Sequence, residues 1–157
     1  MVSNMAIEFA AVFSLWILCV NADDQSKAMR TMSYSFSRKL YDCNKQWPIR
    51  EDVVNDLRHF WRLDYQLSKR AIGCAIICMA TKLHFLDNRG NFIIEHAIGF
   101  TKAGGADDEM SHGILSLIAE CRNSTKSQDP CNMALNIANC FRNGAQDRHW
   151  VPNMGPI

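Results

Sequence analysis

Cysteine is the residue type in this 157-residue chain most able to do chemistry, and two of its seven copies, Cys74 and Cys78, stand four residues apart in GCAIICMATKL, Gly73 to Leu83. Thiols so placed can hold a metal, cycle between dithiol and disulfide, or crosslink a scaffold. The spacing speaks against zinc. C-x3-C is the single close pair, and the second Cys or His pair that completes a structural site is absent. A redox dithiol is expected as C-x-x-C beside a strand, and the sequence offers neither.

The first residues point to the compartment that decides between the remaining readings. Met5 to Val20 is apolar except for Glu8 and Ser14, and Val20-Asn21-Ala22 places small side chains at the −3 and −1 positions of a signal-peptidase site. We read residues 1–22 as a secretory signal peptide cleaved after Ala22, and 23–157 as one mature domain. The alternative is a membrane anchor, since no Lys or Arg precedes the apolar run; a span needs about 20 apolar residues, and this run is shorter. Cleavage removes Cys19 and leaves Cys43, Cys74, Cys78, Cys121, Cys131 and Cys140. An even count in an exported chain reads as three disulfides, with fifteen pairings open. Cys74 and Cys78, at i and i+4 of one helix, could bond each other only with distortion, so each is expected to reach a different partner.

Loss of Glu8 with the leader leaves 17 Lys and Arg against 15 Asp and Glu, a formal charge of +2. So small a charge gives no footprint for nucleic acid or an anionic membrane. Enzyme signatures are missing as well. No His-Asp dipeptide, Cys-Cys pair or G-x-S-x-G occurs, and Asp87-Asn88-Arg89-Gly90 lacks the alternating oxygen ligands of a calcium loop. We expect no catalysis, no metal and no cofactor.

Helical periodicity runs through the mature chain. From Ser26 to Tyr41, Met29, Met32, Phe36 and Leu40 share one stripe, and the helix should stop near Trp47-Pro48, because proline pushes its predecessor out of the helical region. A second helix is expected from Glu51, carrying Val53, Leu57, Phe60, Trp61 and Tyr65, and a third from Lys69 to His84. Asp87 to Asn91 is a turn by composition. A short fourth helix, Ile93 to Thr101, closes at Gly104-Gly105, and Asp107 suits the start of a fifth with Met110, Ile114, Leu115, Leu117 and Ile118 inward. Asn123 to Pro130 is a polar loop whose Asn123-Ser124-Thr125 is a glycosylation sequon. The sixth helix, Cys131 to Asn143, offers Leu135, Ile137, Ala138 and Phe141. The expected fold is an all-α bundle of about six helices with three crosslinks.

Cys43-x30-Cys74-x3-Cys78-x42-Cys121-x9-Cys131-x8-Cys140 resembles the insect odorant-binding proteins, and its long gap the moth pheromone-binding and general odorant-binding branch. HFWRLDY (His59 to Tyr65), GCAIICMATKL, GADDEM (Gly105 to Met110) and HWVPNM (His149 to Met154) agree. The resemblance implies a compact bundle around an apolar cavity, crosslinked Cys43–Cys78, Cys74–Cys131 and Cys121–Cys140. It also implies a secreted carrier that takes hydrophobic pheromones or odorants, such as long-chain alcohols, aldehydes or acetates, through antennal sensillum lymph to olfactory receptors, as a monomer or weak homodimer. The implied ligand wall is Met29, Phe36, Leu57, Phe60, Trp61, Ile76, Ala80, Phe85, Leu86, Phe92, Phe100, Leu115, Ile118, Ile137 and Phe141, with Phe36 and Phe141 able to sandwich a double bond. Each of these residues would equally suit the core of any helical domain.

Two departures from the family pattern bear on chemistry. Ala80 stands where many relatives carry a serine that bonds the ligand's head group; Thr81, the Trp61 indole N–H or a main-chain carbonyl would have to substitute. The chain ends seven residues after Trp150, and Ile93, Ile94 and Ala119 replace histidines, so an acid-driven tail insertion is not expected. His84, near the expected entrance loop, could still sense pH, because imidazole titrates near 6.5. The competing classes are a general odorant, lipid or hormone carrier and a secreted interaction module with a filled core.

Overall fold

The computed structural model describes residues 3–152 and 154, with side chains from Asp23 onward. Six helices follow one another: α1 (Ser3–Gln46), α2 (Glu51–Arg58), α3 (Arg70–Lys82), α4 (Ile94–Ala103), α5 (Asp108–Ser124) and α6 (Pro130–Asp147). The described residues form no strand beyond one antiparallel bridge, Leu86 to Phe92. None of their helices is long and apolar enough to cross a membrane.

Local chemistry sets three of the helix ends. α1 stops just before Trp47-Pro48, where Asn44 Oδ1 accepts from Ile49 N at 2.7 Å. Asp107 caps α5 by accepting from Met110 N, and Asp129 caps α6 by accepting from Asn132 N, with Pro130 at the first position, where its missing N–H is harmless. The Asp87 carboxylate accepts from the main-chain N–H of Arg89 and Asn91, which closes the turn between the bridge partners; Gly90 supplies its positive φ of 79°.

Three boundaries differ most from the sequence reading. α1 begins at Ser3, so the apolar stretch from Met5 and the amphipathic segment from Ser26 are one helix. α2 ends at Arg58, which leaves Phe60, Trp61 and Tyr65 in an irregular segment, 59–69. α6 continues past Asn143 because Gly144 fits against Leu117 of α5 and Ala145 is sealed in the core. Asn123 falls in the last turn of α5, exposed.

α3 is the hub. Cys74 bonds Cys131 of α6, Cys78 bonds Cys43 of α1, and Cys121 of α5 bonds Cys140 of α6, the pairs the resemblance implies. The bonds close loops of 35, 57 and 19 residues, each contributing about 3–4 kcal/mol in the chain-entropy model. Gly73 lets α3 lie directly on α6: a Cβ there would stand 1.8 Å from the Cys131 carbonyl oxygen.

Candidate ligand-binding site

The sealed apolar side chains divide into two clusters. One gathers Met29, Met32, Met110, Ile114, Leu117 and Trp150 with their small neighbours; the other gathers Val53, Leu67, Ile72, Ala75 and Leu135. Half-buried apolar side chains fringe both. Trp61, Phe100, Ile118, Ile137 and Phe141 pack on the first, and Leu57, Phe60 and Ile76 on the second. A small domain normally fills one continuous core, so apolar rims along two separate clusters leave area that another apolar molecule can cover.

The rings fall into two groups. Phe85, after the end of α3, meets Phe36 of α1 at 6.4 Å between centroids, Phe92 at 6.2 Å and Phe100 of α4 at 5.1 Å. Trp61 meets Phe60 edge-on at 4.9 Å and Phe141 of α6 at 6.3 Å. Phe36 and Phe141 thus belong to different groups. Leu86, Leu115 and Ala80 are also half-buried.

Segment 59–69, which carries Phe60 and Trp61, is held by polar groups. Trp61 Nε1 donates to Ser33 Oγ at 2.9 Å, and Ser33 in turn donates to the Met29 carbonyl at 2.7 Å. Asp56, 5% exposed, accepts from the Tyr65 hydroxyl at 2.5 Å and pairs with Lys69 Nζ at 2.8 Å, which also reaches Asp52 at 3.0 Å. Burial pushes the Asp56 carboxyl upward, but the bonds from Lys69 and Tyr65 outweigh it and hold the group below its ordinary value. Lys69 is raised by the Asp56 bond first and the Asp52 bond second. Across the segment, the Arg142 guanidinium of α6 donates to three main-chain carbonyls.

A shallow charged depression over the start of α2, edged by Arg50, Glu51, Asp52, Asn55 and Arg58, offers an apolar molecule no comparable surface.

A model of the PBP/GOBP family matches residues 25–144. The chain belongs to the PBP/GOBP family. Similar proteins include Pheromone-binding protein 2 of Epiphyas postvittana, 29% identical over 128 residues that cover 80% of this chain and 76% of that one. General odorant-binding protein 2 of Manduca sexta is 27% identical over 135 residues, 84% of this chain and 83% of that one. The crystal structure of Epiphyas postvittana Pheromone Binding Protein 3 superposes with a TM-score of 0.63 at 34% identity, covering 70% of this chain and 95% of that one.

Two residues of the expected wall stand apart from the rest in this PBP/GOBP chain. Met29 is 3% exposed inside the first cluster and presents no surface to a ligand. Thr81 is exposed and its hydroxyl donates to the Ile77 carbonyl at 2.9 Å, so it faces solvent on the outer side of α3. The Trp61 N–H is engaged by Ser33, which removes the second expected substitute for a head-group serine. Sequence reasoning missed Ser33, Asn139 and Arg142. The last carried a signal: an arginine in register with Leu135, Ala138 and Ala145 on the buried stripe of α6.

Proposed function

We propose that this PBP/GOBP chain is a carrier of small hydrophobic odorants, exported by cleavage after Ala22 and working in sensillum lymph to bring its ligand to an olfactory receptor. The ligand class is a long-chain aliphatic alcohol, aldehyde or acetate, taken by one copy of the chain or by a weak homodimer. The observation that carries this reading is the two groups of half-buried aromatic rings, from which Phe100, Trp61 and Phe141 pack on one core cluster and Phe60 on the other.

The wall in this reading is Phe36, Leu57, Phe60, Trp61, Ile76, Ala80, Phe85, Leu86, Phe92, Phe100, Leu115, Ile118, Ile137 and Phe141. Leaving water drives binding: about 0.8 kcal/mol per methylene gives near 11 kcal/mol gross for a chain of roughly fourteen carbons. Lost motion and ordering remove several kcal/mol, so affinity falls near micromolar or somewhat tighter. With a methyl group at position 80, Thr81 outside and the Trp61 N–H engaged, the wall lacks a dedicated head-group donor, and discrimination between alcohol, aldehyde and acetate should be weak.

The test is displacement. Solvent-extracted protein is loaded with N-phenyl-1-naphthylamine and titrated with aliphatic alcohols, aldehydes, acetates and plant volatiles. Competition by chains of ten to sixteen carbons, about micromolar, is the expected result. Protein that takes up no probe, or a probe that no lipophilic compound displaces, would refute the carrier reading.

A further inference from the structure

Segment 59–69 joins α2 to α3 without regular structure, and it carries the ring pair Phe60–Trp61, one ring packed on each core cluster. Local turns pair some carbonyls of this segment, Arg62 O accepting from Tyr65 N at 3.0 Å, but those of Phe60, Tyr65 and Leu67 have no main-chain donor, and buried carbonyls must be paired. Two side chains of α6 supply the donors. Arg142 Nη1 reaches the carbonyl oxygens of Phe60 at 3.2 Å, Arg62 at 3.2 Å and Tyr65 at 2.9 Å. Asn139 Nδ2, one turn earlier, reaches that of Leu67 at 2.9 Å. The first two carbonyls lie on either side of Trp61.

Arg142 is an expensive residue to place there. It is 6% exposed, burial lowers its pKa, and Nε finds no hydrogen-bond partner among the described residues. A buried cation facing only carbonyls is a weak source of stability, and an apolar side chain of similar volume would pack with less desolvation. What the guanidinium supplies is direction, since its fixed fork defines where the carbonyls around it must lie. α6 also presents Phe141 to the Trp61 ring, so one helix sets both sides of that contact.

We propose that Arg142, assisted by Asn139, is the positioning residue of the ligand wall: by tying the carbonyls that flank Trp61 to α6, it fixes Phe60 and Trp61 opposite Phe141 and so sets how long an apolar guest stays bound. The inference rests on the carrier reading above. A guest held between Phe60, Trp61 and Phe141 loses contacts when the tether is weakened, so release speeds up by at least as much as entry does.

The test compares wild type with Arg142→Met, which keeps the stem and removes the donors, and Arg142→Lys, which restores one charged donor. Stopped-flow release of N-phenyl-1-naphthylamine, chased with excess dodecanol, should be about 10-fold faster in Arg142→Met and intermediate in Arg142→Lys, as expected for one lost charge-assisted bond. Amide hydrogen exchange without probe should accelerate in 59–68 and stay unchanged in α3 and α5. Unchanged release from folded Arg142→Met, or exchange that accelerates evenly through the chain, would overturn the proposal. If Arg142→Met does not fold, Arg142→Lys and Asn139→Leu are judged by the same two readouts. If wild type takes up no probe, the carrier reading fails, while the exchange pattern still decides whether Arg142 holds the segment.

Discussion

Replacing Gly73 by alanine tests the crossing on which the bundle is built. Helix propensity favours alanine by about 1 kcal/mol, so a surface position would gain stability. At 73 the new Cβ would stand 1.8 Å from the Cys131 carbonyl oxygen, 2.7 Å from its carbon and 3.0 Å from Leu135 N, all main-chain atoms of α6. Ordinary contact requires the helices to part by roughly 1.5 Å. The neighbouring Cys74–Cys131 bond, with its Cα atoms 4.6 Å apart, resists that movement. Overpacking costs about 1–3 kcal/mol, and a rigid main-chain obstacle puts this site at the upper end, so the net loss is about 2 kcal/mol. In a chain of 157 residues that lowers the thermal midpoint by roughly 4–8 °C, read by far-ultraviolet circular dichroism without reductant. The control is Gly99→Ala in α4, where nothing lies within 4 Å of the added Cβ and the midpoint should rise slightly. Because α3 also carries Ile76 and Ala80, Gly73→Ala should weaken probe binding too. A midpoint equal to or above wild type for Gly73→Ala would refute the close-crossing argument.

Other outcomes can be read with the same displacement assay. Ala80→Ser adds a hydroxyl on a half-buried position of α3 and should tighten alcohols by about 3–10-fold over acetates, one net hydrogen bond; unaltered selectivity would show that position 80 does not face the head group. Trp61→Phe keeps an aromatic ring but loses the pyrrole half of the indole and its bond to Ser33, so stability should drop by about 1 kcal/mol and affinity should fall less than in the alanine variant. Trp61→Ala also removes the contacts with Phe60 and Phe141 and should weaken the probe about 5–10-fold; equal binding by both variants would remove Trp61 from the wall. Acid is the fourth perturbation. Asp129, held low by the Arg70 bond first, and Asp56 contribute stability that is present above the unfolded carboxylate value of about 3.9 and lost as pH falls through their lower folded values. The thermal midpoint and probe affinity should therefore be flat between pH 7 and 5 and fall only below about pH 4; a tenfold loss of affinity by pH 5 would show a different switch.

Much of the fold was legible because local chemistry wrote it. Pro48 and Asp107 act on their own or adjacent turns, and the helix ends they predict lie within a residue or two of those observed. Segment 59–69 was not legible for the converse reason. Val53, Leu57, Phe60 and Trp61 have helical spacing, and nothing within the segment contradicts a continuous helix. The contacts that decide otherwise come from far along the chain: Arg142 and Asn139 lie 72 to 82 residues away from the carbonyls they bind. The sixth helix runs past Asn143 for a similar reason: Gly144 lies against Leu117 of α5, where a larger residue would collide. For the ligand wall, periodicity identifies the inward stripes but cannot separate Met29, which is sealed, from Phe36 or Phe141, which are not.

That separation matters because a carrier faces a constraint a filled bundle does not. Apolar surface kept available for a ligand cannot also be the glue that holds the wall in place, so the wall must be held from behind by other forces. In this chain those forces are covalent or polar. Disulfides tie α3 to α1 and α6, and α5 to α6. The least regular part of the wall is fixed by Ser33 on the indole, by Asp56 with Tyr65 and Lys69, and by Arg142 and Asn139 on the main chain. Removing any one of these should loosen the rings without exposing much apolar core, whereas trimming Ile72 or Leu117, both sealed, to alanine should lower the stability of the whole fold by about 2–5 kcal/mol. In the proposed carrier the same logic would account for the buried arginine: its desolvation offsets the freedom of Phe60 and Trp61 to face a guest.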